Sequence, residues 1–288
     1  MRLRAGKDVC LENDALRYNA GMTSSASFSL SAASIAALRA PVAEQVDIRV
    51  VESTGSTNAD LAGQLANLRA PTLLVAHRQT AGRGRAGRSW LSAPGRSLTF
   101  SLAWKFAMPV HALVGLPLAA GIALAEALAG LDVRVGLKWP NDVLYEGDKL
   151  AGILIETAAA GREASWAVIG IGVNLALDAE TMARIGQPAA NLPQLAAADP
   201  NRLLAAFLNR LAEAMLQFEQ RGLHAFVDRW NALHAHAGRP VAIVDRGAVV
   251  HEGVAAGIDW IGRLLVDTEQ GRVAVMAGDV SLRAKGER

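Results

Sequence analysis

Between Gln79 and Trp90 the chain reads Gln79-Thr80-Ala81-Gly82-Arg83-Gly84-Arg85-Ala86-Gly87-Arg88-Ser89-Trp90, with three glycines and three arginines inside seven residues. Glycine lets a backbone approach a ligand closely and expose its N–H groups. Arginine offers a permanently charged planar fork that matches phosphate or carboxylate. The chemistry on offer is an anion cradle. Gly82–Gly87 matches G-x-G-x-x-G, but Pro94–Gly95 and an apolar run follow where a dinucleotide fold needs a helix and a later acid. The stretch also misses a Walker A loop by one residue, with Arg88 in the lysine's place. Taken alone, it equally suits a solvated Arg/Gly surface loop. An RNA contact is a further reading, although the aromatic interleaving of a stacking platform is missing.

Four more clusters bear chemistry-capable groups. In Lys138-Trp139-Pro140-Asn141-Asp142, Pro140 ends a strand and leaves an amide oxygen beside a carboxylate. That pair suits Mg²⁺, and equally an Asx turn after a proline. Lys149 heads Lys149-Leu-Ala-Gly152-Ile-Leu-Ile-Glu156, where an ammonium at the mouth of an apolar strand either meets a ligand's oxygens or guards a strand edge. Gly170-Ile-Gly172-Val-Asn174 permits close backbone approach, with Asn174 available to a sugar or phosphate. Ser56-Thr57-Asn58 precedes an amphipathic stretch and suits a helix N-cap. His234 and His236 are spaced i, i+2, a poor arrangement for zinc on a helix. Neither a G-x-S-x-G elbow nor a Ser/His/Asp order is present.

The elements that must position these groups are legible in outline. Strands are expected at Ile48–Val51, Thr72–Ala76, Leu98–Trp104, Val133–Trp139, Ala151–Ile155 and Trp166–Val173. Pro117 opens a helix that Gly130 closes. Leu204, Phe207, Leu208, Leu211, Met215 and Phe218 recur at helical spacing over Arg202–Arg221, with Gly222 as C-cap. A short helix is expected over Leu223–His234 and a loop over Asp178–Pro200. Strands and helices mix without strict alternation, which indicates an α+β fold. Five short β runs after Gly238-Arg239-Pro240 suggest a small barrel. The expected division is a flexible extension over residues 1–45, with a short Ala-rich helix near Ala32–Arg39, a main domain over 46–237 and the barrel over 238–288.

Composition sets bounds. The 288 residues are 51% hydrophobic and 19% charged, which argues against long disorder. Twenty-nine Lys and Arg against 27 Asp and Glu give +2, so bulk attraction to nucleic acid or acidic membrane is a poor default. The one cysteine, Cys10, excludes an internal disulfide framework and suits a reducing cytoplasm. No run of about 18 apolar residues is evident, so no membrane span is expected.

In this order, Ser56-Thr57-Asn58, the Arg/Gly loop closed by Trp90, Lys138-Trp-Pro-Asn-Asp142, Lys149-Leu-Ala-Gly-Ile-Leu-Ile-Glu156 and Gly170-Ile-Gly-Val-Asn174 closely resemble the bacterial biotin protein ligases. The resemblance spans about Val46 to Arg283 and includes the family's C-terminal SH3-like barrel. It implies an ATP-dependent ligase that forms biotinyl-5'-AMP and transfers biotin to a lysine of the biotin carboxyl carrier protein of acetyl-CoA carboxylase. By resemblance, Ser56, Thr57, Asn58, Gln79, Arg83, Gly84, Arg85, Lys149 and Gly152 would bind biotin, with Lys149 and Arg85 catalytic. Arg83, Arg85, Arg88, Trp90, Lys138, Asn141, Asn174 and Arg283 would bind ATP, and Asn141 and Asp142 would place Mg²⁺. The Gly-rich loop would be mobile when empty and close over the adenylate. Ala86 stands where family loops commonly carry arginine. Only about 45 residues precede the motifs, without two patterned helices joined by a glycine turn, so a monofunctional enzyme without DNA binding is expected, as a monomer or weak homodimer. Lipoate ligation is the alternative within enzymes; a nucleic-acid-binding protein using the Arg/Gly loop, or a degenerate ligase that only binds biotin or a carrier, is the alternative outside it.

Overall fold

Apolar runs separated by Gly, Pro and Asn become strands here, and the long 3.6-period runs become helices. The structure is a computed structural model describing residues 29–186, 188–278 and 280–284. In chain order it holds α1 (Ala32–Ala37), β1 (Asp47–Thr54), α2 (Thr57–Gln64), β2 (Thr72–Gln79), β3 (Ser97–Phe106), α3 (Leu116–Ala129), β4 (Gly136–Lys138) and β5 (Asp142–Tyr145). Then come β6 (Asp148–Ala159), β7 (Ser165–Asn174), α4 (Ala179–Ile185), α5 (Pro193–Ala196), α6 (Pro200–Arg221) and α7 (Val227–Ala232). The C-terminal part holds β8 (Pro240–Asp245), β9 (Ala248–Ile258), β10 (Leu264–Thr268), β11 (Gly271–Val275) and β12 (Val280–Ala284). The first seven strands make one mixed sheet in the order β1-β2-β3-β7-β6-β5-β4, with β1 and β2 parallel and the remaining neighbours antiparallel. The last five make an antiparallel sheet in the order β11-β10-β9-β8-β12. This is the α+β architecture expected, with a β domain behind it.

Side chains alternate across a strand, and β7 shows what that does here. Ala167, Ile169, Ile171 and Val173 join the main core, beneath α3 and α6. Trp166 and Val168 point the other way, into a small second core with Leu61 of α2. The next two residues on that second face are Gly170 and Gly172. The helices therefore fill one face completely, and α2 covers only part of the other. The uncovered part carries glycine instead of side chains.

Several expectations need correction. The strand expected at Val133–Trp139 is confined to β4, and β5 follows at once, because Asp142–Tyr145 pairs with both β4 and β6. Asp178–Pro200 is not all loop: Asp178 caps α4 through Thr181 N, and Pro193 opens α5. The Leu223–His234 helix is split into a 3₁₀ turn and α7. Residues 1–28 of the expected flexible extension, with Cys10, lie outside the described residues. The remainder is packed: Ile35 is fully buried, and Asn201 of α6 accepts from Ser31 N at 2.8 Å. Val110–Ala129 is one stretch apolar enough to count as a span, with mean hydropathy 1.9. Its continuous helix, α3, has 14 residues, about 21 Å, short of a bilayer core, and it is buried between sheet and α6.

The joint between the two parts is built on backbone pairing. Leu137 N donates to Leu233 O at 2.7 Å and Ala235 N to Leu137 O at 2.9 Å, so the connecting chain covers the β4 edge. His234 and His236 are buried in this joint, their ring centroids 6.2 Å apart. Both ring nitrogens of His234 lack a hydrogen-bond partner among the described residues. Burial first, and then the neighbouring His236, lowers the His234 pKa to about 4. The unfolded chain therefore takes up a proton near pH 6.5 that the folded joint refuses. The stability contributed is complete above that pH and is lost as pH falls toward 4. In thermal unfolding, His234→Leu is expected to gain on the parent protein as pH drops from 6.5 to 4.5. A Tm difference that stays constant across that window contradicts the assignment.

Candidate active site

The floor of the site follows from strand register. Gly152 of β6 lies directly opposite Gly172 of β7, and Ser101 of β3 opposite Gly170. A Cβ at 172 would stand 2.1 Å from Trp90 Cε2, and one at 170 would stand 2.2 Å from Asn58 Oδ1. The Trp90 indole and the Asn58 amide therefore rest on bare backbone. Trp90 Nε1 is buried there without a partner among the described residues.

One wall is the start of α2. Ser56 is its N-cap, its hydroxyl facing Ala59 N at 3.5 Å. That cap sets Thr57 and Asn58, both 3% exposed, over the sheet. Gln79 at the end of β2 accepts from Thr57 N at 2.8 Å. Asn58 bridges strands: its Oδ1 lies 2.6 Å from Ser101 Oγ, and its Nδ2 donates to Glu156 Oε2 at 2.8 Å. Ser101 and Glu156 are functional neighbours that motif reading missed. The available signal was the alternation Ser97-x-Thr99-x-Ser101 in an otherwise apolar strand, which puts hydroxyls on one face.

The Arg/Gly loop forms the lid. Gly84 N donates to Arg88 O at 2.7 Å and Trp90 N to Gly82 O at 2.9 Å, so the loop doubles back on itself. Ala86 and Gly87 turn it, with φ of 52° and 71°. Arg85 donates to Asn141 Oδ1 at 3.1 Å and also to Gly278 O, tying lid, β4–β5 turn and C-terminal part together. Lys149 Nζ lies 2.7 Å from Asp142 Oδ1, an ion pair by distance though not aligned as a hydrogen bond. The same ammonium stands 5.9 Å from the Trp90 ring centre.

The cavity so formed takes its walls from Ser56, Thr57, Asn58, Gln79, Arg83, Gly84, Arg85, Trp90, Asn141, Lys149 and Gly152 among others. Three cationic side chains in its wall favour an anionic group. Other expected residues stand off its wall. Arg88 is exposed and lines an adjoining concavity with Leu154, Glu156 and Gly278. Lys138 stands opposite Asp142 in the β4–β5 pairing. Asn174 is buried and donates to Lys149 O at 3.0 Å, so it holds the lysine's backbone. Arg283 lies in β12, paired with Ala242.

The pair expected to hold Mg²⁺ is already committed. Asn141 Oδ1 receives Arg85, Asn141 Nδ2 donates to Ile153 O at 2.7 Å, and Asp142 Oδ1 faces Lys149. In this arrangement a cation between them would compete with the Arg85 and Lys149 charges for the same oxygens. These side chains do not fit a protein-built metal site in this arrangement. No group of three or more His, Cys, Asp or Glu suited to a metal occurs among the described residues.

Because Trp90 depends on bare backbone, Gly172→Ala is expected to lift the indole and destabilise the fold by about 1–3 kcal/mol through overpacking. In protein labelled with 5-fluorotryptophan, the Trp90 ¹⁹F resonance, assigned with Trp90→Phe, should shift while the other resonances stay. An unmoved resonance contradicts the packing described.

Comparison with known proteins finds relatives over most of the chain. Residues 48–174 match the biotin/lipoate A/B protein ligase family, and residues 236–283 match the biotin protein ligase C-terminal domain. A biotin–acetyl-CoA-carboxylase ligase of Mycobacterium tuberculosis is 37% identical over 240 residues, covering 80% of this chain and 87% of its own. The bifunctional ligase/repressor BirA of Salmonella typhimurium is 35% identical over 240 residues, covering 83% of this chain and 75% of its own. Among solved structures, the biotin protein ligase of Aquifex aeolicus in complex with biotin and ATP aligns with a TM-score of 0.69 at 30% identity, over 83% of this chain and 99% of that one. With two family domains in order, and relatives above 30% identity over most of the chain, this protein belongs to the biotin protein ligase family.

Proposed function

We propose that this ATP-dependent biotin ligase carries out its first step between Trp90, Lys149 and Arg85, on the glycine floor of the cavity. The observation that carries this reading is convergence: Lys149 of β6 and the loop arginines Arg83 and Arg85 come from two segments far apart in the chain and line the same small cavity. A biotin carboxylate oxygen attacks the α-phosphorus of ATP, the bond to the β-phosphate oxygen breaks, and pyrophosphate leaves. Negative charge accumulates on the transferring phosphoryl group. Lys149 is placed to offset that charge once its ammonium exchanges Asp142 for the ligand. Arg85 is placed to hold the lid down on the product, since it already reaches across to Asn141 and Gly278. Keeping water from the biotinyl-adenylate preserves the mixed anhydride for the second step. There the amine of a carrier-protein lysine attacks the acyl carbon, gives up a proton, and AMP leaves. The carrier is the biotin carboxyl carrier protein of acetyl-CoA carboxylase.

Mg²⁺, if required, would be held by the nucleotide's own phosphates, whose charge it would lower. Asn141 and Asp142 serve instead to hold Arg85 and Lys149 in reach of the ligand. A cytoplasmic location suits this chemistry, which draws on ATP and a carrier protein.

An ATP–pyrophosphate exchange assay tests the reading. Exchange should depend on biotin and be absent with lipoate; the reverse dependence contradicts it. Lys149→Ala should lower exchange on the order of 100-fold, the usual scale for losing one preorganised charge-stabilising group; an unimpaired rate would count against the role. Arg85→Gly should still form biotinyl-adenylate but release it into solution. Retention of the adenylate equal to that of the parent protein would contradict the lid assignment.

A further inference from the structure

A chain of polar contacts crosses the floor of the cavity, and it has fewer protons than links. Thr57 Oγ1 lies 3.0 Å from Gln79 Oε1 and 2.7 Å from Ser101 Oγ, and Ser101 Oγ lies 2.6 Å from Asn58 Oδ1. That is three oxygen–oxygen links served by two hydroxyl protons. Both ends are fixed as acceptors by their other partners. The Asn58 amide nitrogen must face Leu154 O, at 3.3 Å, and Glu156 Oε2, at 2.8 Å, which leaves its oxygen toward Ser101. Gln79 must present its oxygen to Thr57 N at 2.8 Å. One link therefore carries no proton.

The distances decide which. The links at 2.6 and 2.7 Å are too short for two oxygens with no proton between them, so Ser101 donates to Asn58 and Thr57 donates to Ser101. The empty link is the longest one, between Thr57 Oγ1 and Gln79 Oε1. Both residues line the cavity. We propose that Ser101 is a positioning residue for biotin: by fixing the direction of two hydroxyl protons it makes Thr57 an obligate acceptor for a ligand N–H. This rests on biotin being the ligand. A cyclic urea supplies such an N–H, whereas a plain aliphatic acid or a dithiolane acid of similar length does not. Ser101, which lines the same cavity, would thus separate ureido acids from other acyl acids through Thr57.

Two measurements test this separately from the biotin reading itself. Neutron diffraction from deuterium-exchanged, ligand-free protein should place deuterons between Thr57 and Ser101 and between Ser101 and Asn58, and none between Thr57 and Gln79. A deuteron between Thr57 and Gln79 overturns the proposal whatever the ligand. In calorimetric titration, Ser101→Ala should lose at least roughly tenfold in biotin affinity, the scale of one misdirected buried hydrogen bond, with weak octanoate binding unchanged. Ser101→Thr, which keeps the hydroxyl, should recover most of the biotin affinity, and saturating exchange rates should stay within about threefold. Equal losses for biotin and octanoate would mark a merely structural role, and an unchanged biotin affinity would remove any role; either result overturns the proposal. Parent protein that binds octanoate and not biotin would instead overturn the choice of ligand.

Discussion

A patch of backbone without side chains at the centre of the sheet is the constraint on which the site depends. Gly152, Gly170 and Gly172 sit on adjoining strands, facing away from the main core. Any Cβ at Gly170 or Gly172 would occupy the space of Asn58 or Trp90. In a buried antiparallel sheet, glycine forfeits packing and costs chain entropy. That loss is offset on the opposite face, where Ile153, Ile169, Ile171 and Val173 of the same strands meet α3 and α6. The same alternation therefore provides both the strongest part of the core and the hollow above it.

Above this floor, cations are held at the ready by oxygens they can leave. Lys149 rests on Asp142, and Arg85 on Asn141 and Gly278. All three of these resting partners belong to the Lys138–Asp142 motif or the C-terminal part. That motif is also anchored structurally, since Trp139 Nε1 donates to Gly262 O at 3.1 Å from a buried position. The C-terminal domain thus contributes to the site directly, through Gly278 O, and indirectly, by fixing the turn that holds the cations. Charges prepositioned in this way need little reorganisation when a phosphoryl group arrives.

Much of this was legible in the sequence, for identifiable reasons. Gly170-Ile-Gly172 inside an apolar strand can serve only close approach or a bulge, and Gly82–Trp90 is too rich in arginine and glycine to be core. The helical period of α6 is unambiguous from Leu204 to Phe218. What stayed hidden depends on partners distant in the chain. β5 is four residues long and becomes a strand only because β4 and β6 flank it. The pairing of Asp142 with Lys149 needs the turn at Glu146 and Gly147, both at positive φ, to fold β5 back on β6. Asn174 looked like a ligand group because its strand-end position is suggestive, yet burial turns it toward Lys149 O. The packing of α1 rests on one isoleucine and on Asn201, 170 residues away from Ser31, which no local pattern encodes.

The central claim is that the lid arginine and the Lys149 ammonium meet over the glycine patch on one and the same ligand. A crystal structure with a non-hydrolysable sulfamoyl analogue of biotinyl-adenylate measures this directly. The bicyclic ring should lie beside Thr57 and Trp90, with Lys149 Nζ moved off Asp142 to about 3 Å from the linkage, a hydrogen-bonding distance. An analogue bound elsewhere, or bound here while the ammonium remains on Asp142 and Arg85 remains on Gly278, would contradict the account.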